Sequence, residues 1–225
     1  MPVPSSLERR YRYLYKPLLF TACLVPLGGC IGGILAGGGV AVPGFDLGAD
    51  PVRFVLDRLA KTALNLLFIT LLVTPLRRLS GNAQLLRLRR MLGLLAFSYA
   101  LLHFLVYLGP YQSFDWREIG KDIVKRPFIT MGFTALLLLV PLAATSTDRM
   151  RRRLGRLWQR LHRLIYVVAA LAVLHYWKML KHEYREPLIY AAILALLLGF
   201  RLWHARGRPA HATSRSEPPR APERA

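Results

Sequence analysis

"WQRLHRLIYVVAALAVLHYW", residues 158–177, is the stretch that decides the fold. From His162 onward it is apolar for about as long as a helix needs to cross a bilayer core, roughly 17–25 residues. Yet it carries two imidazoles, His162 at its entrance and His175 near its far end. Five more apolar runs lie around it, so that six in all cover 17–42, 60–76, 91–109, 127–144, 162–178 and 187–204. The chain has 225 residues, is 54% hydrophobic and carries a net charge of +20, a pairing that soluble domains do not normally show. The charges are grouped between the apolar runs. This predicts an all-α integral membrane protein, a bundle of six transmembrane helices over residues 1–204. A disordered basic tail, rich in Pro, Arg and Ser, is expected over 205–225.

So strong a basic excess could suggest nucleic acid, but the arginines flank apolar runs, as the positive-inside rule requires, and no nucleic-acid partner is expected. With the N-terminus in the cytoplasm and six crossings, the inner segments hold 22 of the 32 basic residues and four of the 12 acids. Net charge is then +18 inside and +2 outside, which puts both termini in the cytoplasm. The first run is long for a signal peptide and is read as a retained span. Its glycines ("GGCIGGILAGGG") lack the context of a phosphate-binding loop and fit close helix packing. Cys23 and Cys30 lie two helical turns apart, too far along one helix to bridge, and read as packing residues. Residues 46–61 and 111–126 mix charged and apolar residues and are expected as helical connections on the outer surface. No repeat is visible. No loop is long enough for a soluble domain, so a flavin or nicotinamide domain would belong to a partner.

Of six histidines, His182, His204 and His211 fall in charged or terminal segments and read as solvated. His103, His162 and His175 lie within or at the mouth of spans, where ionisable side chains are costly and face the bundle interior. Depth sharpens this. His103 is twelve residues, about 18 Å, into the third span, and His175 is thirteen residues, about 20 Å, into the fifth, both counted from the inner side. Two imidazoles at one depth across a bundle suit bis-His haem ligation, an arrangement for electron transfer because no iron position stays open. The alternative is two unrelated polar residues bonded to nearby backbone. His162 lies about 140° around the same helix from His175, so the two cannot share one cofactor plane unless the helix is kinked or bulged. It is a mixed ligand, part of a flavin or quinone site, or an interfacial histidine.

Six stretches together resemble a known family: "GADPV" (48–52), "TALNLLFITLLVTPLRR" (62–78), "RLRRMLGLLAFSYALLHFLVYL" (87–108), "KRPFITMG" (125–132), "ATSTDRMRRRLGRLWQRLHRLIYVVA" (144–169) and "LHYW" (174–177). The resemblance is to the MsrQ (YedZ) family of ferric-reductase-like transmembrane domains, haem-binding subunits of the bacterial periplasmic methionine-sulfoxide reductase system. It implies a multi-pass protein of the bacterial inner membrane that passes electrons to a periplasmic molybdopterin-containing catalytic subunit, which repairs oxidised periplasmic proteins. It implies haem b, with His103, His162 and His175 as the family's intramembrane histidines and His103 and His175 as axial ligands. One haem is expected, with a second, inner one as the alternative. The related oxidase domains have a fourth histidine, and here that position falls near Arg89. FMN is also implied. The arginine-rich inner loops 77–90 and 149–163 would hold its phosphate, or else only enforce topology and touch anionic lipid. Electrons would come from quinol or a cytosolic flavin reductase.

Two other readings compete. A stand-alone ferric or cupric reductase would use the same haem without a protein acceptor. A cofactor-free transporter would call for acids at mid-depth, and none of the six apolar runs contains Asp or Glu. For the electron-transfer reading, 111–126 is the expected docking segment, through Asp115, Glu118 and Asp122.

Overall fold

A computed structural model describes residues 11–35, 49–82, 84–180 and 183–206. Their regular structure is entirely helical: α1 Lys16–Leu35, α2 Pro51–Ser80, α3 Leu85–Val106, α4 Trp116–Lys125, α5 Pro127–Ala144, α6 Asp148–Leu154, α7 Arg156–Leu161, α8 Ile165–Met179 and α9 Arg185–Arg206. Among the described residues, six stretches are long and apolar enough to cross a membrane: Tyr13–Ile34, Pro51–Ser80, Leu85–Tyr111, Pro127–Ala144, Arg156–Met179 and Arg185–His204. The six-span, all-α expectation holds at this level. The tail expected from 205 lies outside the described residues from 207 onward, as do 36–48, His182 and His211.

Local chemistry moves several helix ends away from the apolar runs. α2 begins nine residues before its run because Asp50 accepts from the Arg53 N–H at 3.0 Å and Pro51 occupies the first turn. It ends where Gly81, at φ +69°, turns back to donate its N–H to the Arg77 carbonyl at 2.9 Å. The expected surface connection 46–61 is therefore spanning helix from Pro51 on, and Asp57 lies inside it. Glu186 likewise sits in the first turn of α9. The spans are thus not free of acids; both stand at helix starts, not at mid-depth.

α3 continues into a widened π-helical turn, Tyr107–Tyr111. Pro110 has no N–H for the Val106 carbonyl, so the ladder slips and Gln112 donates to Tyr107, five residues back, at 3.0 Å. Ser113 and Phe114 then take positive φ, which lays the Phe114 ring against Gly109. The amphipathic α4 follows, N-capped by Asp115, and matches the surface helix expected over 111–126.

Packing joins the spans in pairs. α2 lies along α3, and α5 along α8, as two long hairpins that meet each other more sparsely. Buried alanines (Ala96, Ala135, Ala169) let backbones approach closely. Tyr99, almost fully buried, donates to the Cys23 carbonyl at 2.7 Å and ties α1 to α3. Both cysteines are free, with Cys30 in the core.

Candidate functional site

His103 projects from α3 and His175 from α8, and their rings stand 6.4 Å apart, centre to centre, inclined at 72°. The equal depth inferred from residue counts is thus found as direct proximity. Each ring is held the same way. His103 Nδ1 lies 3.0 Å from the Leu56 carbonyl, at the start of α2. His175 Nδ1 lies 2.6 Å from the Phe128 carbonyl, at the start of α5. A carbonyl can only accept, so Nδ1 carries the proton in both rings and Nε2 keeps the lone pair. In each hairpin the histidine on the second helix bonds a carbonyl 47 residues earlier on the first. This pairing has no counterpart in residue identities, which is why no repeat was visible in the sequence.

The two rings line a cavity of about 460 Å³, within the range of small-molecule and cofactor sites. Its deep wall is apolar, with Leu64, Leu67, Ala96, Leu136, Leu139 and Val168. Its polar residues, Arg53, Asp57, Tyr107, Asp122 and Arg126, belong to the end where α2 and α5 begin. Room for the His175 ring comes from Gly132: a Cβ there would sit 2.9 Å from ring atoms Cε1 and Nδ1.

These residues can be tested against a haem. With metal–nitrogen bonds of about 2 Å and about 1.1 Å from each ring nitrogen to its ring centre, two imidazoles on one metal have centres roughly 6 Å apart. The observed 6.4 Å fits. Among the described residues no three His, Cys, Asp or Glu side chains gather as a metal cage. Two imidazoles alone suit a metal whose remaining positions are filled by a macrocycle.

His162 is elsewhere. It opens a short 3₁₀ turn, His162–Leu164, between α7 and α8. Its ring stacks on Trp158 at 3.9 Å, with Nδ1 3.2 Å from the Trp158 carbonyl. Trp158 in turn donates Nε1–H to the Thr145 carbonyl at 2.9 Å, pinning α7 to the end of α5. The helix is broken as a shared cofactor plane would need, but His162 does not line the cavity. Near this arginine-rich end Arg201 donates to Tyr166 and, at 2.8 Å, to the Leu71 carbonyl, while its Nε is buried without a partner among the described residues. His204, expected to be solvated, is half-buried and packs on Phe200 at 4.2 Å.

Of the three acids expected to dock a partner, Asp122 is not at the surface. Asp122 is 6% exposed, accepts from Gln112 Nε2 at 2.9 Å and Tyr107 at 3.1 Å, and forms an ion pair with Arg126, Nε 2.8 Å away. Asp115 is the α4 cap. Asp115 is nonetheless exposed, and Glu118 faces outward beside Lys121. The periodicity that marks an amphipathic helix cannot distinguish a buried carboxylate from an exposed one when each has a basic neighbour.

Residues 58–173, about half of the chain, match the family model described as the ferric reductase like transmembrane component. The fold and the paired histidines thus sit in a chain of that membrane class. The chain is 54% identical over 178 residues to the protein-methionine-sulfoxide reductase heme-binding subunit MsrQ of Xanthomonas campestris, covering 79% of this chain and 82% of that one. It is 48% identical over 212 residues to the MsrQ of Xanthomonas euvesicatoria (93% and 95%) and 49% identical over 195 to that of Herminiimonas arsenicoxydans (85% and 86%). The chain belongs to the MsrQ family.

Proposed function

We propose that this chain is the haem-binding membrane subunit of a protein-methionine-sulfoxide reductase, carrying electrons outward across the bacterial inner membrane to a periplasmic molybdenum-containing catalytic subunit. The observation that carries it is the imidazole pair, 6.4 Å apart with both Nδ1 protons committed to backbone carbonyls. In this reading His103 and His175 hold one haem b through Nε2. When bound, that group supplies a reversible one-electron step with no open iron position. Leu56 and Phe128 fix each ring's tautomer and orientation and raise its basicity. The apolar wall keeps water from the cofactor. Both termini lie in the cytoplasm, so the polar rim faces the periplasm, where the partner would dock. Electrons enter from quinol or a cytosolic flavin reductase. An FMN phosphate would suit the opposite end, where Arg201 Nε is buried without a partner among the described residues. The sulfoxide chemistry belongs to the partner.

The test is a reduced-minus-oxidised absorption spectrum of the purified chain, with haem and protein both quantified. A b-type spectrum is expected in the wild type and in His162→Ala, and none in His103→Ala or His175→Ala. Haem retained in both of the latter variants would overturn the ligand assignment, and a wild type without haem would overturn the function. The ferric reductase like family model also favours a second reading, direct reduction of metal chelates. Reoxidation of the reduced haem by ferric citrate, at a rate the catalytic partner does not exceed, would decide for it.

A further inference from the structure

The cavity is polar at one mouth only, and two guanidinium groups stand there on opposite hairpins. Arg53 is three residues, about one helical turn or 4.5 Å, before Leu56, whose carbonyl holds His103. Arg126 is two residues before Phe128, whose carbonyl holds His175. Both arginines therefore lie just beyond the level of the ring pair, on the same side of it, and both line the cavity.

Their surroundings aim them. Arg126 meets Asp122 through Nε at 2.8 Å, which leaves both Nη groups without a hydrogen bond among the described residues. Asp122 is held in turn by Tyr107 and Gln112, so the carboxylate anchors the guanidinium and is itself fully satisfied. Arg53 lies 4.0 Å from Asp57, again through Nε. The exposed fork of a guanidinium matches a planar carboxylate with two parallel hydrogen bonds. With one Asp beside each Arg the rim is close to neutral, so what it offers is directed hydrogen bonding and not a field.

We infer that Arg53 and Arg126 form a carboxylate subsite that takes the two acid groups on one edge of the macrocycle and so orients that edge toward the mouth where α2 and α5 begin. This rests on the haem reading above. The apolar wall opposite could not solvate two carboxylates, whereas it suits the hydrocarbon edge. The subsite makes the two faces of the protein unequal for the cofactor: the acid edge lies toward the rim and the apolar edge toward the arginine-rich end.

The experiment uses the full-length chain produced without haem supply and titrated with ferric protoporphyrin IX or its dimethyl ester, followed by Soret absorbance. The wild type is expected to bind the diacid at least tenfold more tightly than the diester. Arg53→Gln and Arg126→Gln should each reduce that preference, and the double variant should erase it. Diester affinity should stay within about twofold across all four proteins, reporting an intact cavity and ligand pair; lysine replacements should restore part of the preference. An unchanged preference in the double variant, or none in the wild type, would overturn the subsite while leaving haem binding in place. Failure of the wild type to bind either compound would overturn the haem reading itself, and the subsite with it.

Discussion

At the scale of single residues the tightest constraint is Gly132. Any Cβ there meets the His175 ring at 2.9 Å, and the atoms it meets include the Nδ1 bonded to Phe128. The ring cannot move aside without losing that bond. Gly132→Ala should therefore weaken haem binding about tenfold, roughly 1.4 kcal/mol, and Gly132→Val should abolish it. Both variants should still purify as folded protein, and a haem-to-protein ratio checks this. The two histidines were legible in the sequence because depth follows from residue counting. Their carbonyl partners were not, because every residue has a carbonyl and nothing marks Leu56 or Phe128. Gly132 was hidden for a similar reason: glycine is common in membrane helices, and only the ring opposite gives this one its meaning.

At the scale of elements, helix ends and connections carry the predictions. In α4, Asp122→Ala would leave Tyr107 and Gln112 without their acceptor and release Arg126. Both donors are half-buried, so the loss of each falls toward the low end of the roughly 1–3 kcal/mol for an unpaired buried group, and a drop in thermal stability is expected in detergent. Glu118→Lys, on the exposed face, should change stability by no more than about 0.5 kcal/mol. That makes it the clean probe of docking, read as a loss of coupled turnover with the partner. At the other end Arg90 on α3 grips Asp148 at the start of α6, with one contact at 2.9 Å, and holds its carboxyl down at about 2. The folded value lies below the ordinary one of 3.8, so the clip contributes fully above pH 4 and is lost as pH falls toward about 2. The melting-temperature difference between wild type and Asp148→Asn should thus be constant from pH 8 to 5 and shrink below pH 4. The presence of these elements was legible from apolar runs and charge patterning. Their limits were not: α2 starts where Asp50 caps it, nine residues ahead of the apolar signal.

At the scale of the whole molecule, six spans were readable because length and hydropathy are summed over many residues and forgive local errors. The organisation into two hairpins was not, because it depends on which helices touch. Sequence order gives α2–α3 readily, but α5 and α8 are separated by the short α6 and α7, and only the fold brings them together. His162 belongs to that intervening corner, fastened by Trp158 to the end of α5. Trp158→Ala should accordingly disturb the α5–α8 pairing and lower haem content more than His162→Ala does, a comparison open to the same spectroscopy.

The 47-residue repeat of the histidine–carbonyl bond has a consequence for biogenesis. Each hairpin carries half of the proposed ligand set, and His175 leaves the ribosome seventy-two residues after His103. On the proposed ligand assignment, haem capture would await insertion of the second hairpin, however early the first is threaded into the bilayer. Arrested chains ending near residue 150 should bear no haem, whereas chains extended past the last span should acquire it. Loading would thereby act as a checkpoint on assembly, because a chain that holds its cofactor is one whose hairpins have already met.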